Sequence, residues 1–254
     1  MTRANAINHA LDYYDRPEGG YFTDLGQLCA IPTESQNPAR LPEMQQYLEH
    51  AMIPRFEAIG YTCRTYDNPV PGCGPVLLAT RIEDPSLPTI LCYGHGDVVL
   101  GMEGRWAEDR DPWTLSFEGD RVYGRGVADN KGQHLAHIAA LTAIIGTRGS
   151  LGFNHKFLIE MGEENGSKGL KEIVAANKAD FAADAFFASD GPRTELSRPN
   201  ITLGNRGCIN FNLSVELREG GHHSGNWGGL LANPAIILSH AISSIADDHG
   251  RILV

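Results

Sequence analysis

The chain has 254 residues, of which 42% are hydrophobic and 20% charged, a composition typical of globular proteins and not of disordered or coiled-coil ones. With 31 Asp and Glu against 21 Lys and Arg the net charge is −10, which argues against nucleic acid and anionic membranes as partners. No apolar run approaches the roughly 18 residues of a membrane span, and no apolar leader of the secretory kind stands at the N-terminus. The five cysteines are scattered without CxxC spacing, which favours a reducing compartment, so we expect a cytoplasmic protein.

Apolar residues at helical spacing predict two helices early in the chain, over residues 21–31 and 41–59. Pro54 is expected to kink or shorten the second helix, and Gly60 to end it. Short apolar runs bounded by Gly and Pro then predict strands over 76–82, 89–93, 157–161 and 185–189. Helical patterns stand between them over 133–145 and 167–177. Strands that alternate with helices indicate an α/β fold with a mixed, largely parallel sheet flanked by helices.

The pattern changes near Pro199. Residues 208–217 alternate apolar with polar side chains, as in a half-exposed strand, and a helix is predicted over 234–246 with Asn233 as its cap. We therefore expect one domain over residues 1–204 and the beginning of a smaller α+β domain over 205–254. Because an apolar segment is a poor place for a domain to end, we expect an N-terminal fragment of a longer protein.

Acidic and histidine side chains follow three of the predicted strands. In chain order they are His95 with Asp97, Glu163 with Glu164, and Asp190. Ligands of open α/β sheets bind beyond the carboxyl ends of the strands, so these groups are expected at one edge. A further acid, Asp129, lies in a glycine-rich segment just before the helix at 133–145. Several carboxylates at a partly buried edge are costly unless a cation neutralises them, and mixed His and carboxylate donors suit zinc or a similar divalent metal.

Spacing separates the roles of these residues. Alternate residues of an extended segment point the same way, so Asp97 can hydrogen-bond the imidazole of His95 and fix its tautomer. The adjacent Glu163 and Glu164 point in different directions, so one can bind metal while the other stays free as a general base. Asp129 has two oxygens and could bridge two metal ions.

Five segments resemble the successive signature blocks of the di-zinc peptidase family M20, in its dipeptidase-like branch. They are YGHGDVV, WTLSFEGDRVYGRGVADNKG, EMGEENGSKGL, ASDG and REGGHHSGNWGG. The blocks are collinear from about residue 20 to the last residue, 254. The resemblance implies the fold of zinc peptidases, with a lid and dimerisation domain that begins near residue 205.

The resemblance also implies the ligands and their roles. They are His95 on one divalent metal, Asp129 bridging both metals, Glu164 on the other metal, and Asp190 opposite Glu164. Asp97 is expected to support His95, and Glu163 to be the base that activates a bridging metal-bound water. The Asp129–Asn130 peptide bond is expected to be cis. The metals are expected to be Zn²⁺, with Mn²⁺ or Co²⁺ as alternatives.

The activity implied is hydrolysis of a peptide or amide bond in a dipeptide or an N-acyl amino acid. Deacylase-type members tend to carry Glu at the position of Asp190 and dipeptidases Asp, which favours a dipeptidase. His223, in the lid, is expected to stabilise the oxyanion in the active site of a partner subunit, in a homodimer. The family's last His ligand lies beyond residue 254, so the isolated fragment is expected to be nearly inactive.

Two alternatives stay open from the residues. The first is a catalytically incompetent fragment whose region 208–246 mainly mediates dimerisation. The second is a thiol hydrolase that uses Cys92 with His95. Three other histidines are expected to have no catalytic role. We expect His134 and His137 to be packed or capped helix residues and His155 to lie at the surface.

Overall fold

The computed structural model describes residues 2–191, 195, 197–204 and 206–254. The chain divides into two compact units, Met1–Pro192 and Arg193–Val254. The predicted domain boundary between residues 204 and 205 stays a prediction, and residue 205 itself lies outside the described residues.

The first unit is built on a central sheet and a separate hairpin. In chain order the strands are β1 (Thr62–Tyr66), β2 (Val76–Arg81), β3 (Thr89–His95), β4 (Ser116–Glu118), β5 (Arg121–Tyr123), β6 (Asn154–Glu160) and β7 (Ala185–Ala188). The central sheet has the order β1-β2-β6-β3-β7, and β4 pairs with β5. Strand β3 is parallel to both β6 and β7, whereas β2 is antiparallel to both β1 and β6. Strand β1 therefore runs in the same direction as β6, β3 and β7, which confirms the largely parallel sheet.

The helices of the first unit flank its central sheet. They are α1 (Arg3–Asp15), α2 (Tyr21–Cys29), α3 (Leu41–Gln46), α4 (Ile53–Glu57), α5 (Lys131–Arg148), α6 (Leu170–Ala176) and α7 (Lys178–Phe181). The predicted elements of this unit are confirmed, with ends that differ by a few residues. Helices α1 and α7, strand β1 and the β4–β5 hairpin were not predicted. No residue of α1 is buried, and the other elements are three to five residues long, too short to show a periodic apolar face. None of the helices described here is long and apolar enough to cross a membrane.

The predicted helix over 41–59 forms as three consecutive segments. Helix α3 passes into a wider π-helical turn, Tyr47–Met52, and the chain then continues as α4. Pro54, at the start of α4, has no N–H to donate to a carbonyl of the preceding turn. Wider turns of this kind occur where the regular hydrogen-bond pattern of a helix is interrupted. The structure thus agrees with the disturbance expected at Pro54.

Both faces of the sheet are buried. Alternate residues of a strand point to opposite faces, and Leu77, Phe157 and Ile159 pack in one apolar cluster while Leu78 and Leu158 pack in the other. Strand β6, in the middle of the sheet, is buried at every position. Helices on both faces of the sheet therefore hold the strands in place and leave their carboxyl ends open at one edge.

In the second unit one prediction is wrong. Residues 208–217 contain no regular strand, and nearly all of their side chains are exposed. The N–H and C=O groups of a strand need a neighbouring strand, and within the described residues of this unit none pairs with the segment. The predicted helix is confirmed as α9 (Pro234–Ile245), where the Asn233 side chain accepts the N–H of Ala235 at 2.9 Å. A short helix, α8 (Ser224–Trp227), precedes it.

Candidate metal centre

Three neighbouring strands bring the predicted site residues to one edge of the sheet. Strand β3 ends at His95, β6 is followed by Glu163 and Glu164, and β7 is followed by Asp190. These strands are parallel neighbours, so their carboxyl ends lie side by side. Asp129 joins them from the segment that leads into α5.

His95, Asp129 and Asp190 form the centre of the site. One potential ligand atom from each of the three lies within 4.8 Å of the other two. His95 Nε2 is 2.9 Å from Asp129 Oδ1 and 3.7 Å from Asp190 Oδ2. The imidazole is fully buried, whereas 65% of the Asp129 side chain is exposed, so the group is open to solvent on the side of that carboxyl. The arrangement offers one nitrogen and several oxygens to a cation.

Asp97 lies beneath this group and is fully buried. His95 Nδ1 is 3.0 Å from the backbone oxygen of Asp97 and 3.4 Å from its Oδ1, so the main chain is the nearer acceptor. The carboxylate mainly serves the neighbouring loop, since its two oxygens accept the backbone N–H groups of Glu163 and Glu164 at 3.1 Å each. Asp97 thereby connects the end of β3 with the turn that carries both glutamates.

Glu163 and Glu164 begin a short 3₁₀ turn, Glu163–Asn165, and both are half-buried. Burial is the main cause that raises the pKa of each carboxyl. The negative charge of Asp190 raises the pKa of Glu163 further, and that of Asp129 raises the pKa of Glu164. Among the described residues, the Glu164 carboxyl is not part of the group that His95 forms with Asp129 and Asp190. The structure thus brings three of the four predicted ligands together and sets Glu164 beside them.

The charge balance at this edge favours a cation. Burial by itself would lower the pKa of His95, but Asp97, Asp190 and Asp129 oppose it and raise the pKa to about 9. A single imidazole faces several carboxyl groups, and such a set is costly without a positive charge among them. Nitrogen and carboxylate donors together are those that Zn²⁺ and related divalent ions take, so the residues fit such a metal.

The Asn130 side chain links two of the strands that carry site residues, a role that the sequence analysis did not assign. Its Nδ2 donates to the backbone oxygen of Ser189 at 2.7 Å, and its Oδ1 accepts the N–H of His95 at 3.3 Å. One side chain therefore ties the end of β3 to the residue before Asp190. The peptide bond between Asp129 and Asn130 is cis, as the resemblance implies. In the sequence Asn130 stands next to Asp129 at the start of a helix, inside one of the five motif blocks, but nothing there indicates these hydrogen bonds.

His223 belongs to the second unit, where it precedes α8. Its Nδ1 accepts the backbone N–H of Gly225 at 3.1 Å, and the residue is exposed. This contact orients the ring locally, while the proposed action on a partner subunit stays a prediction.

One expectation about another residue is wrong, and one of the open alternatives is disfavoured. His155, expected at the surface, is only 1% exposed because it lies on the central strand β6. Cys92, the nucleophile of the thiol-hydrolase alternative, contacts Nε2 of His155 at 3.3 Å. Burial raises the pKa of the Cys92 thiol to about 12, which disfavours the thiolate that a nucleophile needs.

Comparison with known proteins gives a consistent result. The profile described as Peptidase family M20/M25/M40 matches residues 91–233. "Beta-Ala-His dipeptidase" of Mus musculus is 32% identical over 270 residues, which cover 100% of this chain and 54% of that protein. "Cysteinylglycine-S-conjugate dipeptidase" of Corynebacterium striatum is 37% identical over 238 residues, or 92% of this chain and 50% of that protein. The crystal structure of human carnosine dipeptidase 1 is similar with a TM-score of 0.74 at 30% identity, over 99% of this chain and 54% of that one. The chain spans about half the length of the curated relatives it matches.

Proposed function

Because the chain belongs to peptidase family M20/M25/M40, we propose that the whole protein is a metal-dependent hydrolase of dipeptides. The observation that carries this proposal is the convergence of His95, Asp129 and Asp190 at the carboxyl edge of the sheet. An N-acyl amino acid is the second substrate class within the proposal, because the scissile amide bond is the same. The alternative of a non-catalytic dimerisation module is not favoured by relatives that are named as dipeptidases.

The site is proposed to hold two divalent ions, Zn²⁺ first, with Mn²⁺ or Co²⁺ as substitutes. His95, Asp129 and Asp190 would hold one ion, and Asp129 would share the second with Glu164. When bound, such ions acidify a water and polarise the carbonyl of the scissile bond. The exposed carboxyl of Asp129 suits a bridging position, since it can be approached from more than one side.

Glu163 is the proposed general base. Its carboxylate accepts a proton from the attacking water and then delivers it to the leaving amine. The raised pKa of Glu163 supports this role, because a base works best when its pKa lies near the pH of the reaction. Asp97 holds the backbone N–H of the same residue, which fixes the base relative to the ligand His95.

His223 is proposed to donate a hydrogen bond to the oxyanion, in the active site of a second copy of the chain. The contact with Gly225 supports this role. When Nδ1 accepts a hydrogen bond, the proton of a neutral imidazole is on Nε2, which is then free to donate. A donor of that kind stabilises the negative oxygen that develops when water adds to the amide. The proposal therefore includes a homodimer formed through the second unit, and a location in the cytoplasm.

Metal dependence is the direct test of this function. The whole protein is assayed with a panel of dipeptides and N-acyl amino acids, before and after removal of metal by a chelator, and again after addition of Zn²⁺, Mn²⁺ or Co²⁺. We expect activity to disappear on chelation and to return with at least one ion. Activity that survives chelation but is lost on alkylation of cysteine would instead support the thiol hydrolase.

A further inference from the structure

A second cluster of potential metal ligands lies inside the first unit, away from the carboxyl edge. It consists of Cys92 on β3, His137 on α5 and His155 on β6. In the parallel register Ile90 stands opposite His155, so Cys92, two residues after Ile90, shares the face of the sheet with that histidine. Helix α5 packs against β3 and supplies His137 from above. Three separate elements therefore converge on one point of the core.

The distances within this cluster suit a metal ion. One potential ligand atom from each residue lies within 4.8 Å of the other two, and Cys92 Sγ is 3.3 Å from His155 Nε2. With bonds of about 2.0–2.3 Å in a tetrahedral arrangement, two ligand atoms on one metal stand roughly 3.5 Å apart. The Cys92–His155 pair already has this spacing. The ligand atom of His137 lies within 4.8 Å of both and would move closer on binding to reach the same spacing.

Each imidazole also contacts a hydroxyl group through its Nδ1. His155 Nδ1 lies 2.8 Å from the Tyr61 hydroxyl, and His137 Nδ1 lies 3.0 Å from Ser189 Oγ. When Nδ1–H donates to these oxygens, Nε2 of each ring keeps a free lone pair. Histidines that bind metals are oriented in this way, by a hydrogen bond from the nitrogen that does not bind.

We propose that Cys92, His137 and His155 form a separate binding site for one metal ion that takes sulfur and nitrogen ligands, Zn²⁺ or Cu⁺. Thiolate and imidazole together select such ions, whereas the carboxyl edge offers imidazole and carboxylate donors and no sulfur. On binding, the sulfur–hydrogen bond of Cys92 breaks, a metal–sulfur bond forms, and the proton leaves to solvent. No electron is transferred in this step.

The protonation states of the free groups are compatible with this exchange. Burial lowers the pKa of His137 to about 4 and that of His155 to about 3, so both rings are neutral at pH 7 and ready to bind. Burial raises the pKa of the Cys92 thiol to about 12, so the proton is displaced only by a cation that binds sulfur strongly. A single thiolate fully balances the charge of Cu⁺ and leaves one positive charge with Zn²⁺.

Cobalt spectroscopy on the whole protein tests the site. Metal-free protein is titrated with Co²⁺, and near-ultraviolet absorption from thiolate-to-cobalt charge transfer is recorded. We expect this band in the wild type, its absence in Cys92→Ala, and its retention in Cys29→Ala, the control at another buried cysteine. The band should also persist in Asp190→Asn, because the carboxyl edge supplies no sulfur.

The identity of the ion is measured separately. Protein loaded with Zn²⁺, or with Cu⁺ without oxygen, is dialysed against a chelator, and the metal retained per chain is counted in wild type and Cys92→Ala. We assign to the site the ion that the wild type retains and Cys92→Ala loses. His137→Ala keeps the thiol, and we expect it to weaken Co²⁺ binding, followed at the same band, about tenfold or more. This second variant tests the site if Cys92→Ala does not fold. A folded wild type without the band, or a band that persists in Cys92→Ala, overturns the proposal.

Discussion

Asp97→Asn tests whether one buried carboxylate holds the turn that carries Glu163 and Glu164. The two oxygens of Asp97 accept two backbone N–H groups, at 3.1 Å each, and the side chain is fully buried. An amide of the same shape has only one acceptor oxygen, because its other position is an NH₂ donor. In the variant one N–H of the turn therefore faces a second donor and loses its partner.

The cost follows from these contacts. A buried N–H without a partner costs about 1–3 kcal/mol, and the remaining bond loses roughly 1 kcal/mol when its acceptor is no longer charged. We expect the free energy of unfolding of the first unit to fall by about 2–4 kcal/mol. For a unit of this size, that change lowers the melting temperature by roughly 4–16 °C. Because Asp97 also contacts His95, we expect metal affinity or activity to fall about 10–100-fold.

Two measurements check this prediction. Thermal unfolding is followed by circular dichroism in a chelator, so that loss of metal does not contribute, and metal content is then determined after reloading. Asp84→Asn is the matched control, since Asp84 also accepts two hydrogen bonds, from the N–H and the hydroxyl of Ser86, but at an exposed site. There we expect the melting temperature to stay at the wild-type value, because substitutions at exposed sites usually change stability little. An Asp97→Asn protein that melts at the wild-type temperature would refute the reasoning.

Three further results are expected with the whole protein. Glu163→Gln should lower turnover by about 10²–10⁴ with metal content retained, whereas Glu164→Gln should lose metal, and the reverse pattern would show that the two roles are exchanged. His223→Ala should lower kcat by roughly 10²–10³ with metal content unchanged. Mixing the His223→Ala protein with the Glu163→Gln protein should restore some activity; no restoration would show that the histidine does not act on a partner subunit. Burial lowers the pKa of His134 from 6.5 to about 3, so the unfolded chain takes up a proton that the folded one does not, and stability falls as pH drops below about 6.5. His134 contributes up to about 1.4 kcal/mol per pH unit to this decrease in the free energy of unfolding. Denaturant unfolding of metal-free protein at pH 7 and pH 5 measures the decrease, which should be smaller in His134→Gln than in the wild type. An equal decrease in both proteins would contradict the prediction.

The sequence by itself determined where strands end and which reactive side chains follow them. Apolar runs bounded by Gly and Pro locate β2, β3, β6 and β7, because a buried strand must be apolar and must stop where the chain turns. A carboxyl or imidazole placed directly after such a strand then stands at the sheet edge by chain connectivity alone. This is why His95 and Asp190 could be assigned to one site without coordinates.

Tertiary structure alone decided which polar groups are partners and which segments have neighbours. Asn130 joins β3 to the residue after β7, and His155 meets Cys92 in the core, yet the members of each pair are far apart in sequence. No local pattern encodes such contacts, because they depend on the order of strands in the sheet and on how helices pack over it. The alternation over 208–217 likewise predicts a strand only if another strand lies beside it. Local sequence specifies the tendency of a segment, whereas hydrogen-bond partners and burial are supplied by the rest of the fold.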